Sequence, residues 1–135
     1  MEKNPTILVV AAALVDSGGH VLLQQRAQGR SMAGLWEFPG GKVEAQERPE
    51  AALVRELAEE LGIIVEEGAL SPAAFATHAY PDFGLILLLY LCRSWNGEPA
   101  PLDASALRWA TVAEMADLAM PPADVPLISR LASLL

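Results

Sequence analysis

The chain has 135 residues, 53% hydrophobic and 19% charged, enough apolar material for a single domain with its own core and too little charge for a disordered tail. Nine basic residues stand against 17 acidic ones, a formal charge of −8 with only Lys3 and Lys42 as lysines, which excludes the clustered Lys and Arg surface that holds duplex phosphates. The lone Cys92 excludes a disulfide framework and fits a reducing compartment. After Met1-Glu2-Lys3-Asn4-Pro5 comes no leader pattern, and no apolar run approaches the roughly 18 residues needed to span a bilayer. The expectation is a soluble, cytoplasmic protein that engages neither a membrane nor a nucleic-acid polymer.

Residues 6–16, rich in Val, Ile, Leu and Ala, read as a buried strand. Ser17-Gly18-Gly19 supplies a tight reversal, and residues 20–25 return as a second strand. A loop with Gly29, Ser31 and Gly34 leads to Trp36-Glu37-Phe38 and then Pro39-Gly40-Gly41. Pro49 suits the first turn of a helix that runs to Leu61, where Gly62 ends it. Residues 73–79 and 85–95 flank the turn Tyr80-Pro81-Asp82-Phe83-Gly84 as a strand pair. The unbroken apolar run 85–92 implies burial on both faces. An irregular turn at Trp95-Asn96-Gly97-Glu98-Pro99 precedes a short strand at 107–110. Thr111 and Glu114 form a capping box, and a last helix covers 124–134. The pattern predicts one α+β domain over 1–135, a mixed sheet between helices.

The helix from Pro49 carries the chemistry. Eight of the 17 acidic residues lie between Glu44 and Glu67. Glu56, Glu59 and Glu60 are spaced by three and four, which places them on one face, with Leu53, Val54, Leu57, Ala58 and Leu61 roughly opposite as the core stripe. As a mere solvated face this is poorly arranged. Glu56 and Glu60 repel at i, i+4, costing about 0.2–0.5 kcal/mol. Glu59 and Glu60 also sit where the helix dipole disfavours anions. A cation across the face offsets both. Carboxylate oxygens without His or Cys select a hard ion, Mg²⁺ or equally Mn²⁺. Such an ion inverts the local sign, bridges phosphate oxygens and activates water. Gly40 and Gly41 just before the helix let backbone approach ion and phosphate, so phosphoric anhydride hydrolysis is the chemistry that fits.

Gly41, Glu47, Arg55-Glu56-Leu57-Ala58-Glu59-Glu60-Leu61 and Gly62-Ile63, at their spacing, resemble a complete Nudix box over 41–63. The resemblance to MutT-type Nudix hydrolases extends through Arg26, Trp36-Glu37-Phe38-Pro39-Gly40, Tyr80-Pro81-Asp82, Gly97-Glu98-Pro99 and Pro122-Ala123-Asp124-Val125-Pro126. It implies an α/β/α sandwich that cleaves nucleoside triphosphates to monophosphate and pyrophosphate. It places metal ligands at the Gly40 carbonyl, Glu56, Glu59, Glu60 and Glu98, the last also readable as a charge on an exposed turn. Glu56 is the implied general base, although that role varies within the family, and Glu47 and Arg55 support the box. Arg26, Glu37, Phe38, Pro39, Gly40, Phe83 and Asp124 are the implied substrate contacts. Arg26 is otherwise a surface arginine, and Phe38 otherwise core.

Two positions depart from the MutT pattern: Ser31 replaces a histidine and Phe83 an arginine. Asp124 stands where MutT has an asparagine facing the base, and it also suits a helix N-cap. An ionised carboxylate only accepts hydrogen bonds. It therefore matches the protonated N7 of 8-oxoguanine and repels the N7 acceptor of guanine. The resemblance thus implies an 8-oxo-dGTP diphosphatase that protects the nucleotide pool and acts as a monomer. The alternative is a hydrolase of CTP and oxidised cytosine nucleotides, whose exocyclic amine the same aspartate accepts. A non-catalytic binding module is the expectation outside enzymes, disfavoured because no box glutamate is missing.

Overall fold

The computed structural model describes residues 4–135, so Met1–Lys3, where the leader argument begins, lie outside the described residues. Strand β1 (Thr6–Leu14) is the centre of the larger sheet. It pairs antiparallel with β4 (Gly40–Lys42) on one edge and parallel with β6 (Gly84–Cys92) on the other, and β5 (Leu70–Ala79) completes the order β4-β1-β6-β5. A second sheet holds β3 (Trp36–Glu37), β2 (Val21–Gln25) and β7 (Ala106–Ala110) in the order β3-β2-β7. Helices α1 (Pro49–Leu61), α2 (Val112–Met115) and α3 (Val125–Leu134) pack around them. The expected α+β class with mixed strands is what the chain adopts.

The two-residue alternation of β1 explains the layering. Val10, Ala12 and Leu14 face α1 and share a core with Leu53, Leu57, Leu61, Tyr90 and Cys92. Ala11, Ala13 and Val15 face the other way, onto Leu87, Leu89, Met115, Leu127 and Leu131. Both faces of the apolar runs are therefore covered. The capping box of α2 is formed, with Thr111 and Glu114 satisfying each other's backbone amides. Gly62 ends α1 in the left-handed conformation, at φ 71°.

Four local expectations are corrected. The reversal at Ser17-Gly18-Gly19 joins two sheets rather than one hairpin, because both edges of β1 are already taken; only a bridge between Val15 and Val21 links the strands. Strand β5 begins at Leu70 instead of 73, with an irregularity between Pro72 and Ala74 that an edge strand tolerates. Strand β6 stops at Cys92 rather than 95, and Asn96 bridges to Ile64. On α1, Ala58 is exposed and Ala52 is buried beside Leu53, Leu57 and Leu61.

That last change moves the glutamates. At 3.6 residues per turn, Glu60 lies only about 20° and Glu56 about 60° around the axis from Leu53. Both fall between the buried Ala52 and Leu53 instead of opposing them, whereas Glu59 lies beyond Ala52 and is 61% exposed. Leu57 is fully buried in the core beneath this face. Leu57→Ala is expected to lower the unfolding free energy by about 2–5 kcal/mol in chemical denaturation.

Candidate active site

A cleft of about 530 Å³ opens between the two sheets, floored by Val9 and Ala11 of β1 and walled by β2, β3, β4 and α1. Glu56 and Glu60 enter it from α1 over the backbone of Gly40 and Gly41. Glu60 Oε1 accepts from the Gly40 N–H at 3.0 Å, and its Oε2 accepts from Gln24 Nε2 at 2.9 Å. Burial, with the charges of Glu56 and Glu37 adding, pushes its carboxyl up to about 7. Burial also raises Glu56, against the pull of Arg55.

The carboxylate of Glu56 occupies the space a side chain on Gly41 would need: a Cβ there would stand 2.4 Å from Glu56 Cδ. At Gly40 a Cβ would stand 2.0 Å from the Val10 carbonyl oxygen. Close approach of backbone thus requires glycine at 40, whereas a side chain at 41 would displace the Glu56 carboxylate from its place over β4. Arg55 braces the arrangement from outside the cleft. Its Nε and Nη2 fork onto Glu47 at 2.9 Å each, its Nη1 donates to Glu56 Oε1 at 2.8 Å, and Nη2 also reaches the Lys42 carbonyl at 3.2 Å. The guanidinium holds the Glu47 carboxyl at about 2.

Asp124 defines another part of the cleft. It is 7% exposed, and its Oδ2 accepts from the Phe38 N–H at 3.2 Å. No side-chain hydrogen bond caps α3, so the N-cap expectation is corrected: the carboxyl serves the cleft and not the helix. Burial pushes it up to about 7, with the charge of Glu37 adding. Phe38 contributes its amide here while its ring joins the core. Arg26 lines the cleft, paired to Glu37 at 3.0 Å and to Ser31 through Nε and Nη2, and so is no free surface arginine. Phe83 lines it too, stacked on Tyr80 with centroids 4.9 Å apart.

Some expected residues stand elsewhere. Pro39 is buried, outside the residues lining the cleft, and its carbonyl accepts from the Ala12 N–H, which anchors β4. Glu98 is exposed on its turn and also outside the cleft, and Glu59 approaches Arg55 at 3.6 Å. The expected convergence of Glu56, Glu59, Glu60 and Glu98 is therefore corrected. Among the described residues no three His, Cys, Asp or Glu side chains are gathered closely enough to hold an ion. Glu56 and Glu60 nevertheless enter the cleft side by side over Gly40, and carboxylate oxygens without His or Cys are the donor type that suits a hard divalent cation.

Gln24 lines the cleft without having been singled out in the sequence, and Tyr80, quoted there only as part of a turn, lines it as well. Gln24, at 2%, is with Asp124 one of the buried polar residues among those described, and its Oε1 has no hydrogen-bond partner. Such an orphaned acceptor costs about 1–3 kcal/mol. The signal was a glutamine inside the apolar alternation of β2. Tyr80 was visible only as an aromatic beside a turn.

A family model described as the NUDIX domain matches residues 10–130. The chain belongs to the Nudix family. Other Nudix hydrolases align with it over nearly their whole length. An 8-oxo-dGTP diphosphatase from Haemophilus influenzae is 37% identical over 132 residues, covering 97% of this chain and 94% of the relative. A CTP pyrophosphohydrolase from Escherichia coli is 37% identical over 130 residues, covering 95% and 93%. The crystal structure of a MutT Nudix hydrolase from Burkholderia pseudomallei superposes with a TM-score of 0.80 at 28% identity, covering 96% of this chain and 98% of that one. Nudix hydrolases use divalent cations, in keeping with the donor set over Gly40 and Gly41. No helix among the described residues is long and apolar enough to cross a membrane.

The raised carboxyl of Asp124 makes the Nudix fold pH-sensitive in a definite direction. The folded state holds the proton more tightly than the unfolded chain does. The stability this adds is complete below the ordinary value of 3.8 and is lost as pH rises through about 7. Glu60 acts in the same direction from 4.5 to about 7. Thermal melts in EDTA should therefore fall between about pH 4 and 7 and level off above. Asp124→Asn is expected to make that fall shallower; an unchanged slope would contradict the assignment.

Proposed function

We propose that this Nudix hydrolase cleaves 8-oxo-dGTP to 8-oxo-dGMP and pyrophosphate with Mg²⁺, for which Mn²⁺ can substitute, and so keeps the oxidised base out of the nucleotide pool. The observation that carries the substrate claim is Asp124: a buried carboxyl in the cleft whose Oδ2 is used by Phe38 and whose Oδ1 makes no hydrogen bond among the described residues. Oδ1 of the ionised group accepts from the N7–H of 8-oxoguanine and repels the N7 lone pair of guanine. The Tyr80–Phe83 stack supplies a face for the base. Arg26, held by Glu37 and Ser31, presents its remaining positive charge to sugar or phosphate.

At the phosphate end, the Gly40 carbonyl, Glu56 and Glu60 would hold the ion, and Glu59 would be the further carboxylate on the same helix. Glu98, exposed and outside the cleft, is not carried into this set. Such an ion would supply positive charge against the glutamates and phosphates and a more acidic water. The chain does the rest. Arg55 fixes the Glu56 carboxylate from one side while Glu47 fixes Arg55. Glu56, half-buried with its affinity for a proton raised, takes the proton from the attacking water. The backbone at Gly40 and Gly41 brings phosphate and carboxylate together without an intervening side chain.

Hydrolysis of CTP and oxidised cytosine nucleotides is the second reading. The Escherichia coli relative is named for CTP, and the Asp124 carboxylate accepts equally from a cytosine amine.

The deciding measurement is kcat/KM for 8-oxo-dGTP, dGTP, CTP and 5-hydroxy-dCTP on one preparation. 8-Oxo-dGTP is expected to lead, and a win for CTP or dGTP would reverse the assignment. Glu56→Gln should lower turnover about 100-fold or more with the fold intact.

Asp124 adds a pH signature. Protonated, it offers guanine N7 a donor; ionised, it does not. The 8-oxo-dGTP to dGTP ratio of kcat/KM should therefore climb about tenfold or more as pH rises through about 7. Asp124→Asn should flatten that climb.

A further inference from the structure

Gln24 has no role in the mechanism above, and its chemistry is at odds with its place. It occupies β2 beyond Val21, Leu22 and Leu23, all fully buried, and pairs in register with Glu37. One end of its carboxamide is used twice: Nε2 donates to Glu60 Oε2 at 2.9 Å and to Glu37 Oε2 at 3.3 Å. Two carboxylates require the NH₂ end of the amide to face them. The other end, Oε1, is buried and has no partner among the described residues. An apolar residue would pack this strand position and remove the orphaned oxygen, at the cost of the donor that Glu60 and Glu37 share. Because the protein supplies no donor to Oε1, the donor comes with what the cleft binds.

We propose that Gln24 is a positioning residue for the divalent ion: its Nε2 holds the Glu60 carboxylate in the orientation that coordination needs, and its Oε1 accepts a hydrogen bond from a water of the ion's hydration shell. Small divalent ions held by one or two carboxylates keep several waters, which need acceptors. The same amide lies between Glu60, on the ion side, and Glu37, which holds Arg26 on the nucleoside side. It therefore couples the two halves of the cleft. A sugar hydroxyl of the nucleotide is the other O–H donor that this position reaches, and it is an outcome of the test. The inference rests on the ion-binding role proposed for Glu56 and Glu60.

The test is Mn²⁺ binding to the nucleotide-free protein, followed by electron paramagnetic resonance and calorimetry, for wild type, Gln24→Met and Gln24→Asn. Gln24→Met keeps the volume and removes both polar ends. It should hold the EDTA melting temperature close to that of wild type, since losing the orphaned oxygen offsets the lost hydrogen bonds to Glu60 and Glu37, while weakening Mn²⁺ about 10- to 100-fold. Gln24→Asn, too short to reach both carboxylates, should weaken it in the same direction and decides the matter if the methionine variant does not fold. A Kd within about twofold of wild type in the folded variants overturns the inference and leaves the ion site standing. An unchanged Mn²⁺ Kd with a raised KM for nucleotide assigns Oε1 to the sugar and overturns it as well. If the wild type takes up no Mn²⁺, the ion-binding role of Glu56 and Glu60 fails, and this inference falls with it.

Discussion

The cleft depends on the angle at which α1 meets the larger sheet. Leu53, Leu57 and Leu61 seat the helix on Val10, Ala12 and Leu14. That seating turns Glu56 and Glu60 inward within the buried arc, against Gly40 and Gly41. Two carboxylates half removed from water would be an expensive arrangement without partners. Here they are met by the Gly40 amide, the Gln24 amide and the Arg55 guanidinium. Burial still raises both of them. The helix therefore gathers unfavourable negative charge at the place where the proposed cation would relieve it, and the apolar packing of its other side offsets that cost.

Asp124 repeats the same logic with a different partner. Its carboxyl is buried, raised and only singly hydrogen-bonded, so it weakens the resting fold at neutral pH. A group that destabilises the resting molecule and faces a cleft is what discrimination between close analogues requires, because a mismatched ligand leaves it unsatisfied. Both ends of the cleft thus hold acidic groups in states the protein alone does not favour.

Much of this was legible in the chain. The glycine pair, the Arg55 to Glu60 run and Gly62 were recognisable because close approach, metal chemistry and helix termination each demand particular residue types at fixed spacing. Helix α1, the capping box of α2 and the turn at Tyr80 were equally plain. What escaped had a common cause: it depended on partners remote in the chain. The helical spacing put Glu56, Glu59 and Glu60 on one face, but only the packing of Ala52 in place of Ala58 shows that Glu59 parts from the other two. The glycine turn after β1 looked like a hairpin because nothing local reveals that β4 and β6 already fill both edges. Pro72 hid the start of β5, since an edge strand tolerates what a central one does not. The carboxyl of Asp124 suited a helix cap by type, and its actual partner, the Phe38 amide, lies far away in sequence.

The parallel pairing of β1 with β6 runs without a break from Thr6 opposite Gly84 to Leu14 opposite Cys92. Strand β1 thus leaves the ribosome well before its principal neighbour, since residues 15–83 separate the two. Until that neighbour emerges, this apolar strand has nothing to pair with along that edge. Non-local parallel pairing of this kind makes folding slow and leaves nascent strands open to association with other chains. The topology that floors the cleft with an inflexible strand therefore also sets when, during synthesis, this molecule first becomes safe from aggregation.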